Sequence, residues 1–360
     1  SEMCIRDRLQ PGPHKPGELR LPAGLDGRRL RGAARAEAAR VLGVIPPPSE
    51  LHVALSQLLR DQDPDVVEQA LISAGRIQAR ESLPLIIENL DKPRLVAPAR
   101  TALIQYSERA VGTLQDYLND ELVPLAVRKQ IPDTLAQIAT AQAAAVLAIS
   151  LIQSDPGLRY DVLKALNKVR RRDPALLPAS QEFQNVLQAE IMGYYRSFQI
   201  LAAIDPRAGV SPQVPTTDGL LIRALRERMN HEFERIFRLL ALFYPPHDIY
   251  NAYVGLTSNR PQLQANALEV LEHLLQPDLY RWLAYVLDPE ITLPQKLSFA
   301  EQLCHTRVSS KGEALRILLH SGDRWLCACS LFTIGQWGLV ELYDDIRRLP
   351  GNGDDPLLQE

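Results

Sequence analysis

Four proline-led segments recur in the first half of the chain at a spacing close to 30 residues, and this recurrence limits the fold more than any other feature. They are DPDVVEQALISAGRI (63–77), DKPRLVAPARTALIQY (91–106), ELVPLAVRKQIPDTLAQIA (121–139) and DPGLRYDVLKALNKV (155–169). Pro64, Pro93, Pro124 and Pro156 stand 29, 31 and 32 residues apart. A turn, a proline at the first helical position and a following apolar stripe together mark a helix start. Val67, Ala70, Leu71, Ala74 and Ile77 recur at three and four residues, which is one face of a helix and not the alternation of a strand. Shorter apolar helical patterns fill the gaps at Ser82–Leu90, Ala110–Leu118 and Ala141–Ile152. A helix pair of this size cannot bury its own apolar face, so neighbours must stack. The expectation is an all-α chain, a right-handed α-solenoid of helical hairpins.

The Asp-Pro-x-Val/Leu starts, with Ala70, Ala74, Ala99 and Ala102 at helical spacing, resemble HEAT repeats. That resemblance implies small residues where the two helices of a unit come close. Arg31–Leu42 reads as the second helix of an earlier unit, set off by Pro46–Pro48. From Asp173 the period fails. Pro174–Ile204 reads as long helices with Tyr194 and Tyr195 side by side, and Asp205–Asp218, with three prolines and one glycine, as a loop. Gly219–Phe243 reads as one amphipathic helix of about seven turns. It stops before Pro245-Pro246, because a residue preceding proline avoids the helical region. Repeats resume at Arg260-Pro261 and again 62 residues later at Gly322-Asp323, leaving room for a unit around Leu293–Cys304. The organisation expected is an irregular lead (1–30), N-terminal HEAT-like repeats (31–173), a long-helix insertion (174–258), C-terminal HEAT-like repeats (259–349) and a polar tail (350–360).

A narrower resemblance lies in ERIFRLLALFYPPHDIYNAYVGL (234–256) followed by QANALE (264–269). This is similar to the soluble HEAT-repeat region of bacterial ATP/ADP-carrier-like transporters of the Npt type, in which a membrane carrier precedes the repeats. The similarity covers roughly 31–349, with the carrier part absent. It implies a regulatory appendage at the cytoplasmic face of the inner membrane and carries over no catalytic residue. The opening SEMCIRDR resembles a translated sequencing-adapter peptide, which implies that Cys4 is foreign and that natural sequence lies upstream.

Composition narrows the function classes. With 40 basic against 43 acidic residues and a net charge of −3, the chain lacks the basic excess of a general phosphate-backbone binder. Hydrophobic residues at 46% and charged ones at 23% supply a sizeable core. Cys4, Cys304, Cys327 and Cys329 are too few for a disulfide framework, which favours a reducing, cytoplasmic compartment. The longest apolar run, Ala143–Ile152, is half of the ~20 residues that span a bilayer. The opening residues hold no apolar core of secretory length.

Candidate chemistry is sparse. Cys304-His305 with Cys327 and Cys329 holds zinc-ligand types, but two residues two positions apart on a helix face about 200° apart. His231-Glu232 is followed by Arg235 where a zinc protease needs a second histidine. No phosphate-cradling Gly-rich loop or nucleophile elbow occurs. Arg223, Arg226 and Arg228 alternate with Glu227, Glu232 and Glu234, as on a solvated helix face. No catalytic, cofactor-binding or metal-binding residue is assigned. The basic run Lys168–Arg172 reads as a cationic complement to helix carbonyls or as a partner contact. The expected interaction surface is Arg170, Arg171, Arg172, Tyr194 and Tyr195, on a non-catalytic scaffold or regulatory module. Its expected partner is another protein or its own carrier domain. The competing readings are a DNA-glycosylase-like repeat enzyme, against which the charge counts, and a bilin-lyase-like repeat protein.

Overall fold

A computed structural model describes residues 27–44, 49–153, 156–177, 181–205, 219–258 and 260–349. The expectations for the lead (1–26), Pro46–Pro48, the loop after Asp205 and the tail lie outside them. Among the described residues every regular element is a helix and no strand occurs, so the protein is all-α. None of these helices is long and apolar enough to cross a membrane. The chain forms two compact units, residues 1–114 with 123–130 and residues 115–122 with 131–360. The division falls inside the proline-led array, well before Asp173.

The first unit holds α1 (Gly27–Leu42), α2 (Ser49–Leu58), α3 (Pro64–Ile77), α4 (Leu83–Glu88) and α5 (Val96–Tyr106). Helix α6 (Glu108–Asn119) crosses the division, and the four-residue α7 (Leu125–Arg128) returns to the first unit. Asp63 caps α3, its carboxylate accepting from the Asp65 amide at 3.1 Å, and Pro64 supplies the first helical residue. Pro93 departs from that pattern. Lys92–Leu95 form a turn closed by Leu95 N–H donating to Lys92 O at 2.8 Å, and α5 begins only at Val96. The third segment splits because Pro132 has no N–H for the Arg128 carbonyl and its ring crowds that oxygen. Helix α7 therefore ends and α8 (Ile131–Ile138) begins anew.

Helix α3 packs against both α1 and α5. Its buried residues are Val66, Val67, Ala70, Leu71, Ser73, Ala74 and Gly75. A Cβ on Gly75 would lie 3.0 Å from Ala102 Cα and 2.4 Å from Gln105 Oε1, so the α3–α5 contact needs glycine there. At Gly75 and Ala102 small residues thus serve the contact between α3 and α5. Tyr106 donates to Ala79 O at 2.9 Å, and burial pushes its phenol up to about 12.

The second unit continues with α9 (Ala141–Gln153), α10 (Pro156–Arg172), α11 (Gln181–Ile204), α12 (Leu220–Leu240), α13 (Pro246–Leu256) and α14 (Pro261–Leu274). It ends with α15 (Pro277–Leu287), α16 (Leu293–Cys304), α17 (Lys311–Leu319), α18 (Arg324–Trp337) and the short α19 (Tyr343–Arg347). The long helices read at 174–204 and 219–243 become α11 and α12, which pack along each other. Helix α12 also touches α10, α13 and α18. Phe198, Leu201, Leu225, Leu315, Leu318 and Leu326 belong to one buried cluster. Cys327 and Cys329 sit in that cluster too, although the helical angle set them on different sides. The buried residues of α18 cover one face about 160° wide, and the two cysteines stand at its opposite edges.

Gly75→Ala is expected to destabilise the protein by about 1–3 kcal/mol through overpacking. Gly193→Ala, in α11 where an added Cβ meets nothing within 4 Å, is expected to stabilise it by about 0.5–1 kcal/mol. Urea midpoints of the two variants check both signs.

Candidate functional site

A cleft of about 820 Å³ opens in the second unit among α10, α12 and α13. Its walls follow helical periodicity. Helix α10 and the turn after it contribute Asn167, Arg170, Arg171 and Pro174, and α12 with its end contributes Glu234, Phe237, Arg238 and Ala241. Helix α13 contributes Pro246, Ile249, Tyr250 and Tyr253, with His247 beside them. Positions three, four and seven apart recur on each wall, so each helix turns one face inward.

The end of α10 is fastened to the end of α12. Asn167 Nδ2 donates to Leu163 O and to Arg238 O, both at 2.9 Å. Arg170 donates through Nη1 to Leu242 O at 2.6 Å and through Nη2 to Tyr244 O at 3.2 Å. Carbonyls at a helix end have no partner inside the helix, and a cation there is favourable. The basic run thus serves carbonyls of other helices, for Arg172 Nη1 donates to Gln137 O in α8 at 3.2 Å. Arg171 differs. It is exposed at the cleft and forms no ion pair among the described residues.

Above an apolar floor, the remaining charges satisfy one another. Arg238 Nη2 donates to Glu234 Oε1 at 2.6 Å, and the Tyr160 hydroxyl donates to the same oxygen at 3.1 Å. The Arg238 guanidinium carbon also lies 4.9 Å from the centre of the Tyr160 ring. The floor is Phe237 and Ile249, both buried, with half-buried Tyr253 against the Phe237 ring at a 5.5 Å centroid distance. Burial, and then the Glu234 charge, push the Tyr253 phenol above its ordinary value. Three arginines against one glutamate leave the cleft net positive in a chain that is net negative.

The two tyrosines expected at the surface lie elsewhere. Tyr195 is fully buried and donates to Trp282 O at 2.5 Å, which removes it from any partner surface. Tyr194 is half-buried against Phe233 at a 6.0 Å centroid distance. The structure therefore places Arg170 and Arg171 together at the cleft, turns Arg172 toward α8 and puts the tyrosines between α11 and its neighbours. Glu234, Phe237 and Arg238 were not singled out as site residues in the sequence. Their only local signals were the Glu234–Arg238 spacing of four and the aromatic residues beside it.

Among the described residues no other constellation offers chemistry. Cys304 Sγ lies 3.5 Å from Met192 O, and burial raises all three thiols of the second unit above their ordinary range. His231 is exposed, 4.0 Å from Glu227. Among the described residues no three His, Cys, Asp or Glu side chains converge as metal ligands. Glu232, on the α12 side away from the cleft, is 3% exposed. Its Oε1 accepts from Ser197 Oγ at 3.0 Å and from Arg228 Nε at 2.9 Å, while Oε2 is buried with no hydrogen bond.

Burial pushes the Glu232 carboxyl up, against the opposing pull of Arg228. The folded state therefore holds this proton more tightly than the unfolded chain, and its contribution to stability falls as pH rises from about 4.3 through the raised value. Glu232→Gln removes that slope. Unfolding free energies from urea titrations at pH 4 to 7 should converge toward, or cross, in favour of the variant as pH rises.

No protein-family model matches the chain. No curated protein matches it either.

Proposed function

We propose that this chain is a non-catalytic protein-binding module, a scaffold or regulatory element built from HEAT-like helical hairpins, and that it binds through the cleft of its second unit. The observation that carries this reading is how the cleft's polar groups are used. Asn167 and Arg170 hold backbone carbonyls, and Glu234, Arg238 and Tyr160 hold one another. None is left as a nucleophile beside a base, which acyl- or phosphoryl-transfer chemistry would require. What faces outward is a recognition surface: exposed Tyr250, exposed Arg171 and an apolar floor. Tyrosine and arginine dominate the residues that carry protein–protein binding energy.

A photo-crosslinking side chain at position 250, in full-length chain expressed in bacterial cells, tests this. The expected result is a discrete protein adduct at 250 that Arg171→Glu abolishes and that position 340, equally exposed, does not give. Adducts that are absent, or the same from 250 and 340, contradict the reading. Arg170 is left intact in this experiment, because its replacement frees the Leu242 and Tyr244 carbonyls and costs about 1–3 kcal/mol of stability.

In its narrower form the module is the cytoplasmic repeat region of a carrier-like transporter, on the strength of residues 234–256 and 264–269. Recovery of the full gene tests that form: successive apolar spans of about 20 residues should precede the repeats, and a different upstream region removes it.

A further inference from the structure

The cleft also specifies the chemistry of what enters it. We infer that its occupant is a short acidic peptide segment bearing one large apolar side chain, the apolar group on the Phe237–Tyr253 floor and a carboxylate on Arg171. This rests on the protein-binding reading above and adds the class of ligand.

Three observations converge on that class. The cavity of about 820 Å³ lies within the ~300–1,000 Å³ of pockets that enclose small ligands, so it takes a few residues of a partner and not a broad face. Its floor is aromatic and aliphatic, and a buried apolar anchor gains about 25 cal/mol for each Å² withdrawn from water. Its charge is positive: Arg170 and Arg238 are engaged but keep their charge, and Arg171 presents an unengaged planar fork. A guanidinium matches a carboxylate through two parallel hydrogen bonds. Nucleic acid fits less well, because Glu234 interrupts the positive wall and the floor offers no succession of phosphate contacts.

The experiment pans phage-displayed random heptapeptides against the full wild-type chain and against Arg171→Glu in parallel. Fluorescence anisotropy then measures the best wild-type peptide on both proteins. The wild-type chain should enrich Asp or Glu next to Leu, Ile, Phe or Trp. Arg171→Glu should bind that peptide about tenfold more weakly, with its thermal midpoint unchanged, and should itself enrich Lys or Arg at the same place. A reversed charge preference cannot come from a merely structural role.

The inference is overturned if the wild type enriches no motif, if its motif lacks an acidic residue, or if Arg171→Glu keeps full affinity. It is also overturned if a twelve-nucleotide uridine RNA displaces the peptide in a strongly salt-dependent way, which would make the occupant nucleic acid. A crosslinked protein adduct at position 250 without any enriched acidic motif would leave the module reading standing and remove this ligand class alone.

Discussion

Glu190 sets the geometry on which the second unit depends. It lies on α11, only 5% exposed, and each of its oxygens takes a different helix: Oε1 accepts from Arg159 of α10 at 2.7 Å and Oε2 from Arg235 of α12 at 3.0 Å. A carboxylate this deep is costly unless its partners are well placed, and removal of one member of such a set costs about 3–5 kcal/mol. The arrangement therefore admits little slippage between α10 and α12. Those two helices are walls of the cleft, so a buried charge behind the site fixes the spacing of the surface in front of it.

The geometry of the cleft follows from that spacing. With α10 and α12 held by Glu190 on one side, Asn167 and Arg170 fasten their ends together on the other. Two contiguous polar clamps leave the cleft floor free of hydrogen-bonding duties, and it is accordingly aromatic and aliphatic. A site organised this way gains affinity from pre-organisation, since few side chains must be ordered when a ligand arrives.

Much of the helical content was legible because it depends on local signals. Asp63-Pro64 caps and starts α3, and a helix, α16, spans Leu293–Cys304, around which the gap in the period left room. Pro93 was misread because a proline fits a turn as well as a helix start, and the choice depends on what packs beyond it. The site was legible only in part. Arg170 and Arg171 stood out as charge, but Arg170 finds its carbonyls 72 and 74 residues away, and Asn167 finds Arg238 O at a separation of 71. No periodicity encodes contacts at such distances. Tyr194 and Tyr195 were prominent as adjacent aromatics, yet Tyr195 is core and Tyr194 is half-buried against Phe233. The buried carboxylate of Glu190 carried no sequence signal of its burial, although it is one of only three charged residues on α11, with Glu182 and Arg196.

Amide hydrogen exchange of Glu190→Ala against wild type addresses the central claim most directly, namely that one buried junction holds both walls of the cleft. Protection should fall together in residues 159–172 of α10 and 234–244 at the end of α12, while α3 keeps its own as an internal reference. Faster exchange confined to the turns of α11 around position 190, with both walls as protected as before, would contradict it.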